Sequence, residues 1–131
     1  MAATLSASIV LSVARLSPEK GLTLLAAAAN DIPASVFIVG DGPERQTLST
    51  YDALQLIGHV NDPWLWYCAA DVVAVPSLIE GLGLSAIEAL STGCPVVATD
   101  VGGLPEVITD DSLGKCVSAG DVTALASAIN Q

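Results

Sequence analysis

Glu80 and Glu88 are separated by seven residues, on either side of a glycine-containing turn, in the stretch Pro76–Glu88 (PSLIEGLGLSAIE). The turn leads into a helix predicted to start near Gly83 or Leu84. The first amides of a helix have no intrahelical partner and carry partial positive charge, so they form a natural anion site. Glu88 falls about one turn inside that helix. Carboxylates do not bind phosphates, but they accept hydrogen bonds from hydroxyl groups. A diphosphate with hydroxyls on both flanks, the layout of a nucleotide sugar, satisfies all three features. Arg15 and Lys20 add to the pattern. The chain has four cationic residues, and these two lie within six residues of each other. Taken singly, the glutamates also read as a loop charge and a solvated helix residue, and the two cations as surface charges.

The elements that must position these groups follow from punctuation and apolar runs. Short apolar strands are predicted at Ile9–Ala14, Ser35–Val39, Leu54–Ile57, Asp71–Val75 and Pro95–Ala98, with a weaker sixth at Lys115–Val117. Between them, Ser17-Pro18 reads as the N-cap and first position of a helix reaching about Asn30. Further helices are expected at about Glu44–Thr50, after Asp62-Pro63 to Ala69, from Leu84 to about Thr92 with Gly93 as its stop, and near Pro105–Ile108. Asp121 caps a last helix predicted to run off the end of the chain. Strands that are apolar throughout and alternate with helices mean a parallel sheet covered on both faces. The fold class is α/β: a Rossmann-like, doubly wound sheet of about six strands. In such sheets ligands bind beyond the carboxyl ends of the strands, near the topological switch point. Arg15, Gly40–Gly42, Gly58–Val60 and Pro76–Gly83 all follow strand ends, so one edge should carry them all.

Composition narrows the function classes. At 131 residues the chain reads as one domain, and 52% hydrophobic content is ample for a core. A net charge of -10 argues against a nucleic-acid partner. It does not exclude a small anion, because screening over about 8 Å leaves local charges to decide. No apolar run is long enough for a transmembrane helix, and Met1–Ser8 lacks the basic and apolar regions of a secretory signal. Cys68, Cys94 and Cys116 are odd in number and unpaired in pattern, which reads as reduced thiols in a cytoplasmic protein with no metal site.

Four segments in order resemble the group 1 (family 4) glycosyltransferases. They are Ser12–Gly21 (SVARLSPEKG), Val39–Glu44 (VGDGPE), Pro76–Leu84 with Glu88, and Pro95–Glu106 (PVVATDVGGLPE). The resemblance covers nearly the whole chain and implies the C-terminal, nucleotide-sugar-binding half of a two-domain GT-B fold. It implies that Arg15 and Lys20 contact the donor diphosphate, Glu80 the transferred sugar and Glu88 the ribose hydroxyls. The amides around Gly81, Leu82, Gly83 and Leu84 would meet the phosphates and sugar, and the base would lie near Gly40, Gly42, His59 and Val60. No cofactor or metal is implied; the nucleoside-diphosphate sugar is the donor substrate.

Departures from the family pattern bear on these expectations. The Glu44–Leu54 segment is short, which alters one wall of the base pocket. Ile79 and Leu82 stand where the family often has aromatic residues. The N-terminal acceptor domain is absent from residues 1–131, so the chain alone is expected to bind donor without completing transfer. Two other functions are compatible with these features: a non-catalytic nucleotide-sugar or interaction module that self-associates or pairs with a separate partner, and half of a nucleotide-sugar epimerase. Several residues have plain structural readings. Gly40-Asp41-Gly42-Pro43 serves equally as a tight turn, and His59 and Glu106 read as structural or solvated. Trp64, Trp66 and Tyr67 read as core and helix-surface residues, and Cys94 as a small buried hydrophobe.

Overall fold

β1 (Ile9–Val13), β2 (Ser35–Val39), β3 (Leu54–Gly58), β4 (Val72–Val75), β5 (Val96–Thr99) and β6 (Gly114–Val117) are all parallel and lie in the order β3-β2-β1-β4-β5-β6. This computed structural model describes residues 8–130. Residues 1–7, nearly all of the stretch read above for a secretory signal, and Gln131 lie outside them. The helices are α1 (Leu22–Ala29), α2 (Arg45–Leu48), α3 (Trp64–Ala69), α4 (Leu84–Ser91), α5 (Leu104–Val107) and α6 (Val122–Ile129).

Side-chain alternation sends the residues of the central strands to two cores. Val10, Val36, Ile38, Ala74 and Val97 pack with Leu22 and Leu25 of α1, Leu48 of α2 and Leu125 of α6. Leu11, Val39, Val73, Val75, Val96 and Ala98 face the other way, toward Tyr67 of α3, Ala86 and Ala89 of α4 and Leu104 of α5. Because both faces are covered, the central strands carry apolar residues at successive positions rather than an apolar–polar alternation. Each fully buried Leu or Val side chain contributes about 1.5–3 kcal/mol relative to exposure, and Leu11, Leu22, Leu25 and Val73 are all 0% exposed.

The chain builds outward from β1 through β2 to β3, then returns to place β4 on the other side of β1. The loops after β1 and β4 therefore diverge at the middle of the sheet, which is where a doubly wound fold opens a crevice.

Two helical expectations change. Pro18–Lys20 forms a separate 3₁₀ turn, and α1 starts only after Gly21, whose φ of 66° breaks a continuous helix. A Cβ at Gly21 would lie 1.9 Å from the Pro76 carbonyl oxygen, so the break is imposed by a loop more than fifty residues away. Ser17 makes no capping bond to the backbone; its Oγ donates to Glu19 Oε2 at 2.8 Å instead. The helix after Glu44 is a single turn, Arg45–Leu48. As expected, the last helix continues to the last described residue: Asn130 N still donates to the Ala126 carbonyl at 3.0 Å, and Asn130 Nδ2 donates to the Asp31 carbonyl at 2.9 Å. The other punctuation holds: Asp62 Oδ1 accepts from Trp64 N at 3.1 Å, Asp121 Oδ1 accepts from Ala124 N at 2.9 Å, and Gly93 follows α4 with φ 82°.

Candidate functional site

The loops after β1 and β4 are stitched together at the crevice. The Glu19 carbonyl accepts from Leu78 N at 2.8 Å and from Ile79 N at 3.3 Å. With Gly21 seated against Pro76, this fixes the 18–20 turn on the loop that carries Glu80. Lys20 Nζ then reaches Glu80 Oε1 at 3.3 Å, with the two side chains 26% and 12% exposed. Ser77, itself buried, donates from Oγ to the same Glu80 oxygen at 2.7 Å. The Ser77 carbonyl in turn accepts from the buried Thr99 Oγ1 at 2.5 Å. Glu80 is thus held through one oxygen by an ammonium and a hydroxyl. Among the described residues no hydrogen bond reaches its Oε2, which stays available as an acceptor.

The helix start lies beside this cluster. Gly83 takes the N-cap position with φ 76° and no side chain supplies a capping bond, so the leading amides of α4 have no side-chain partner. Ser85 of its first turn lines the same narrow recess as Lys20, Ser77 and Glu80. The turn before it is braced by Gly103 N donating to the Gly81 carbonyl at 2.7 Å. Leu82 and Leu84, flanking buried Gly83, are 73% and 63% exposed. Leu78 and Ile79 are exposed as well, giving the loop an apolar outer surface.

On the other side of β1 an open cleft of about 360 Å³ lies over the ends of β1, β2 and β3, lined by Ala14, Arg15, Gly40, Asp41, His59 and Val60 among others. Arg15 is exposed at this cleft, and among the described residues it makes no hydrogen bond or ion pair. Its positive charge does act on Glu19. A backbone hydrogen bond, then the bond from Ser17, and more weakly the charges of Lys20 and Arg15, hold that carboxyl below its ordinary range. Main-chain hydrogen bonds tie the strand ends around the cleft together. Leu16 N donates to the Asp41 carbonyl at 3.0 Å and Gly40 N to the Gly58 carbonyl at 2.8 Å. Gly40 has φ 143°, and a Cβ there would sit 1.8 Å from the Ala14 carbonyl oxygen.

The expected residues thus divide into groups. Lys20 and Glu80 meet directly. Arg15, Gly40, His59 and Val60 share the cleft. Gly42 is not on that lining; it is tucked against Leu16, whose carbonyl oxygen would be 2.6 Å from an added Cβ. Glu88 is exposed on α4 and lines neither recess, but its Oε1 accepts from the hydroxyl of buried Tyr67 at 3.0 Å. His59 Nε2 is 3.0 Å from Asn61 Oδ1. The sequence reading missed Ser77, Thr99, Asp41 and Tyr67. Ser77 sits inside the recognised Pro76–Glu88 stretch, and Asp41 between two glycines already singled out; Tyr67 carries no local signal. Trp66 packs as expected, its ring 5.6 Å from that of Phe37, while Trp64 is half exposed. Cys94 is 5% exposed, and burial, aided by the charge of Asp71, pushes its thiol up to about 11. All three cysteines are free, and no group of three or more metal-ligating side chains occurs among the described residues. No helix among them is long and apolar enough to cross a membrane.

A six-stranded, all-parallel sheet with helices on both faces defines a Rossmann-like α/β domain of the GT-B type. The chain belongs to the group 1 glycosyltransferases: the family's sequence signature, "Glycosyl transferases group 1", matches residues 7–131. It is 37% identical to a sulfoquinovosyl transferase of Arabidopsis thaliana, over 82% of this chain and 22% of that protein. It is 35% identical to a D-inositol 3-phosphate glycosyltransferase of Mycobacterium tuberculosis, over 93% of this chain and 28% of that protein. It superimposes on Anabaena HepE, solved in complex with UDP-glucose, with a TM-score of 0.86 at 28% identity, covering 95% of this chain and 38% of HepE. The chain therefore spans about a quarter of the length of the curated relatives it matches.

Proposed function

We propose that the chain is the donor-binding domain of a glycosyltransferase that takes a nucleoside-diphosphate sugar. The observation that carries this reading is the Lys20–Glu80–Ser77 cluster at the switch point, beside the uncapped start of α4. Lys20, Arg15 and the α4 amides bind the diphosphate; a hydrogen bond to a charged group is worth about 1.5–3 kcal/mol. Glu80 accepts from the sugar through its free oxygen, and Glu88 from the ribose. Gly40, His59 and Val60 border the base.

Transfer with retention is the family's usual outcome. There the donor phosphate assists departure of the leaving group, and Arg15, Lys20 and the amides stabilise the charge that develops on the diphosphate. HepE's complex with UDP-glucose supports a uridine nucleotide as the first donor to try. No metal is needed in this scheme, since the positive charge comes from side chains. Free thiols suit a reducing, cytoplasmic setting. Calorimetry with UDP, GDP, ADP and their sugars, with and without EDTA, tests the reading. Micromolar to millimolar binding that survives EDTA is expected; no binding at millimolar levels overturns it.

A second function is compatible with the same site. Leu78, Ile79, Leu82 and Leu84 leave an apolar surface around Glu80, which fits a face that another domain or a second copy covers. On this view the chain alone binds donor without transferring it. Light scattering across a wide concentration range tests self-association, and a strict monomer at every concentration removes it.

A further inference from the structure

Glu88 is an exposed carboxylate on the outer half of α4, yet it is not left to sample solvent. The Tyr67 hydroxyl, carried on α3 and 21 residues away in sequence, donates to its Oε1 at 3.0 Å. Tyr67 is 2% exposed, with its ring packed in the core face shared by Leu11, Val39, Val73 and Ala86. It is the only side chain among the described residues that hydrogen-bonds the Glu88 carboxylate, and Oε2 receives no hydrogen bond. A free glutamate side chain loses rotamer freedom when a ligand orders it. A rigid phenol anchored in the core makes part of that ordering before any ligand arrives, and pre-organisation of this kind raises affinity. Burial first, then the bond to Glu88 and its charge, raises the phenol above its ordinary value, so the hydroxyl remains a donor at neutral pH.

We propose that Tyr67 is a positioning residue that holds the Glu88 carboxylate by one oxygen and presents the other to the ribose hydroxyls of the bound nucleotide. The inference rests on the ribose role of Glu88 stated above. It predicts that Tyr67 governs discrimination between ribo- and dideoxyribonucleotides rather than affinity in general.

Binding of UDP and of 2′,3′-dideoxy-UDP is measured by calorimetry, with the GDP and ADP pairs in parallel, to wild type, Tyr67→Phe, Glu88→Ala and the double variant. Wild type should prefer the ribonucleotide. Tyr67→Phe should shrink that preference about fivefold, equivalent to about 1 kcal/mol, and leave dideoxy-UDP binding unchanged. Glu88→Ala should remove the preference, and adding Tyr67→Phe to it should have no further effect, since coupled residues are not additive.

A Tyr67→Phe protein that keeps the full preference, or that weakens both nucleotides equally, overturns the positioning role while the Glu88 assignment stands. A Glu88→Ala protein that keeps the preference overturns the ribose reading itself, as does failure of every nucleotide to bind. A readout without a core substitution completes the test. With Tyr51→Phe and 3-fluorotyrosine incorporation, the single remaining 19F resonance should move on addition of UDP and not of dideoxy-UDP. An unmoved resonance under saturating UDP refutes the inference.

Discussion

Gly21→Ala tests how the site is assembled, because the structure separates its two costs. Gly21 sits at φ 66°, and an alanine there is held in the left-handed region at about 1–2 kcal/mol. Its Cβ would also lie 1.9 Å from the Pro76 carbonyl oxygen, against the 3.0 Å that real contacts respect, so the 18–20 turn and the Glu80 loop must part by about 1 Å. Overpacking of this kind adds about 1–3 kcal/mol. The expected loss is about 2–5 kcal/mol, a large share of the roughly 5–15 kcal/mol available to a domain, with a fall in Tm of about 8–20 °C. Gly93→Ala is the control. Gly93 has φ 82° but nothing within 4 Å of an added Cβ, so it bears the backbone cost alone. Urea unfolding followed by circular dichroism gives both losses, and the difference between them is the contact with Pro76. Because that contact seats Lys20 3.3 Å from Glu80, Gly21→Ala should also weaken UDP by about tenfold, or about 1.4 kcal/mol, while Gly93→Ala leaves it unchanged. Equal losses in the two variants, or unaltered UDP affinity in Gly21→Ala, would refute the reasoning.

Other expectations bear on charge, pH and surface. Arg15→Ala and Lys20→Ala should each weaken UDP, GDP and ADP alike by about 10–100-fold, the cost of a charge-assisted hydrogen bond; calorimetry that finds either unchanged removes that residue from the diphosphate site. Cys94 keeps its proton more tightly folded than unfolded, its thiol rising from 9.0 to about 11. Its contribution is therefore complete below pH 9 and is lost as pH climbs toward 11, at up to about 1.4 kcal/mol per pH unit. Urea midpoints from pH 7 to 11 should fall more gently in Cys94→Ala than in wild type. Ile79→Ser and Leu82→Ser, at positions 71% and 73% exposed, should change stability by less than about 0.5 kcal/mol. Any self-association seen by sedimentation should weaken in both.

The sheet could be read from the sequence because its physics is local. An apolar run such as Val72–Val75 has no polar face to give to solvent, so it requires cover on both sides, and its neighbours in sequence are the helices that provide it. The caps at Asp62 and Asp121 were equally legible, since a carboxylate and an amide two or three residues away decide them. Gly21 was not. Nothing within the stretch from Ser17 to Asn30 forbids one continuous helix; the obstacle is the carbonyl of Pro76, supplied by another loop. Tyr67 was hidden for a similar reason, because a buried aromatic in an apolar segment has the same pattern whether or not its hydroxyl reaches a partner on the next helix. Ser77 and Thr99 form a relay to Glu80 that exists only once β4 and β5 lie side by side. Strand-end positions put the segments of Lys20 and Glu80 on one edge, but their direct contact needs the packing of two loops sixty residues apart.

The glycines packed against neighbouring loops at this sheet edge have a consequence for how the surface can diversify. At Gly21, Gly40 and Gly102, main chain abuts main chain so closely that a single added carbon would fall within 2 Å of a carbonyl oxygen. These close approaches are made by main chain, which is the same whatever side chains surround it. Variation is therefore channelled to exposed side chains such as His59, Leu82 and Leu84, which can be exchanged without disturbing these main-chain contacts. On the donor-binding reading proposed above, a few such substitutions would retune which base or sugar is accepted while the main-chain packing is inherited intact.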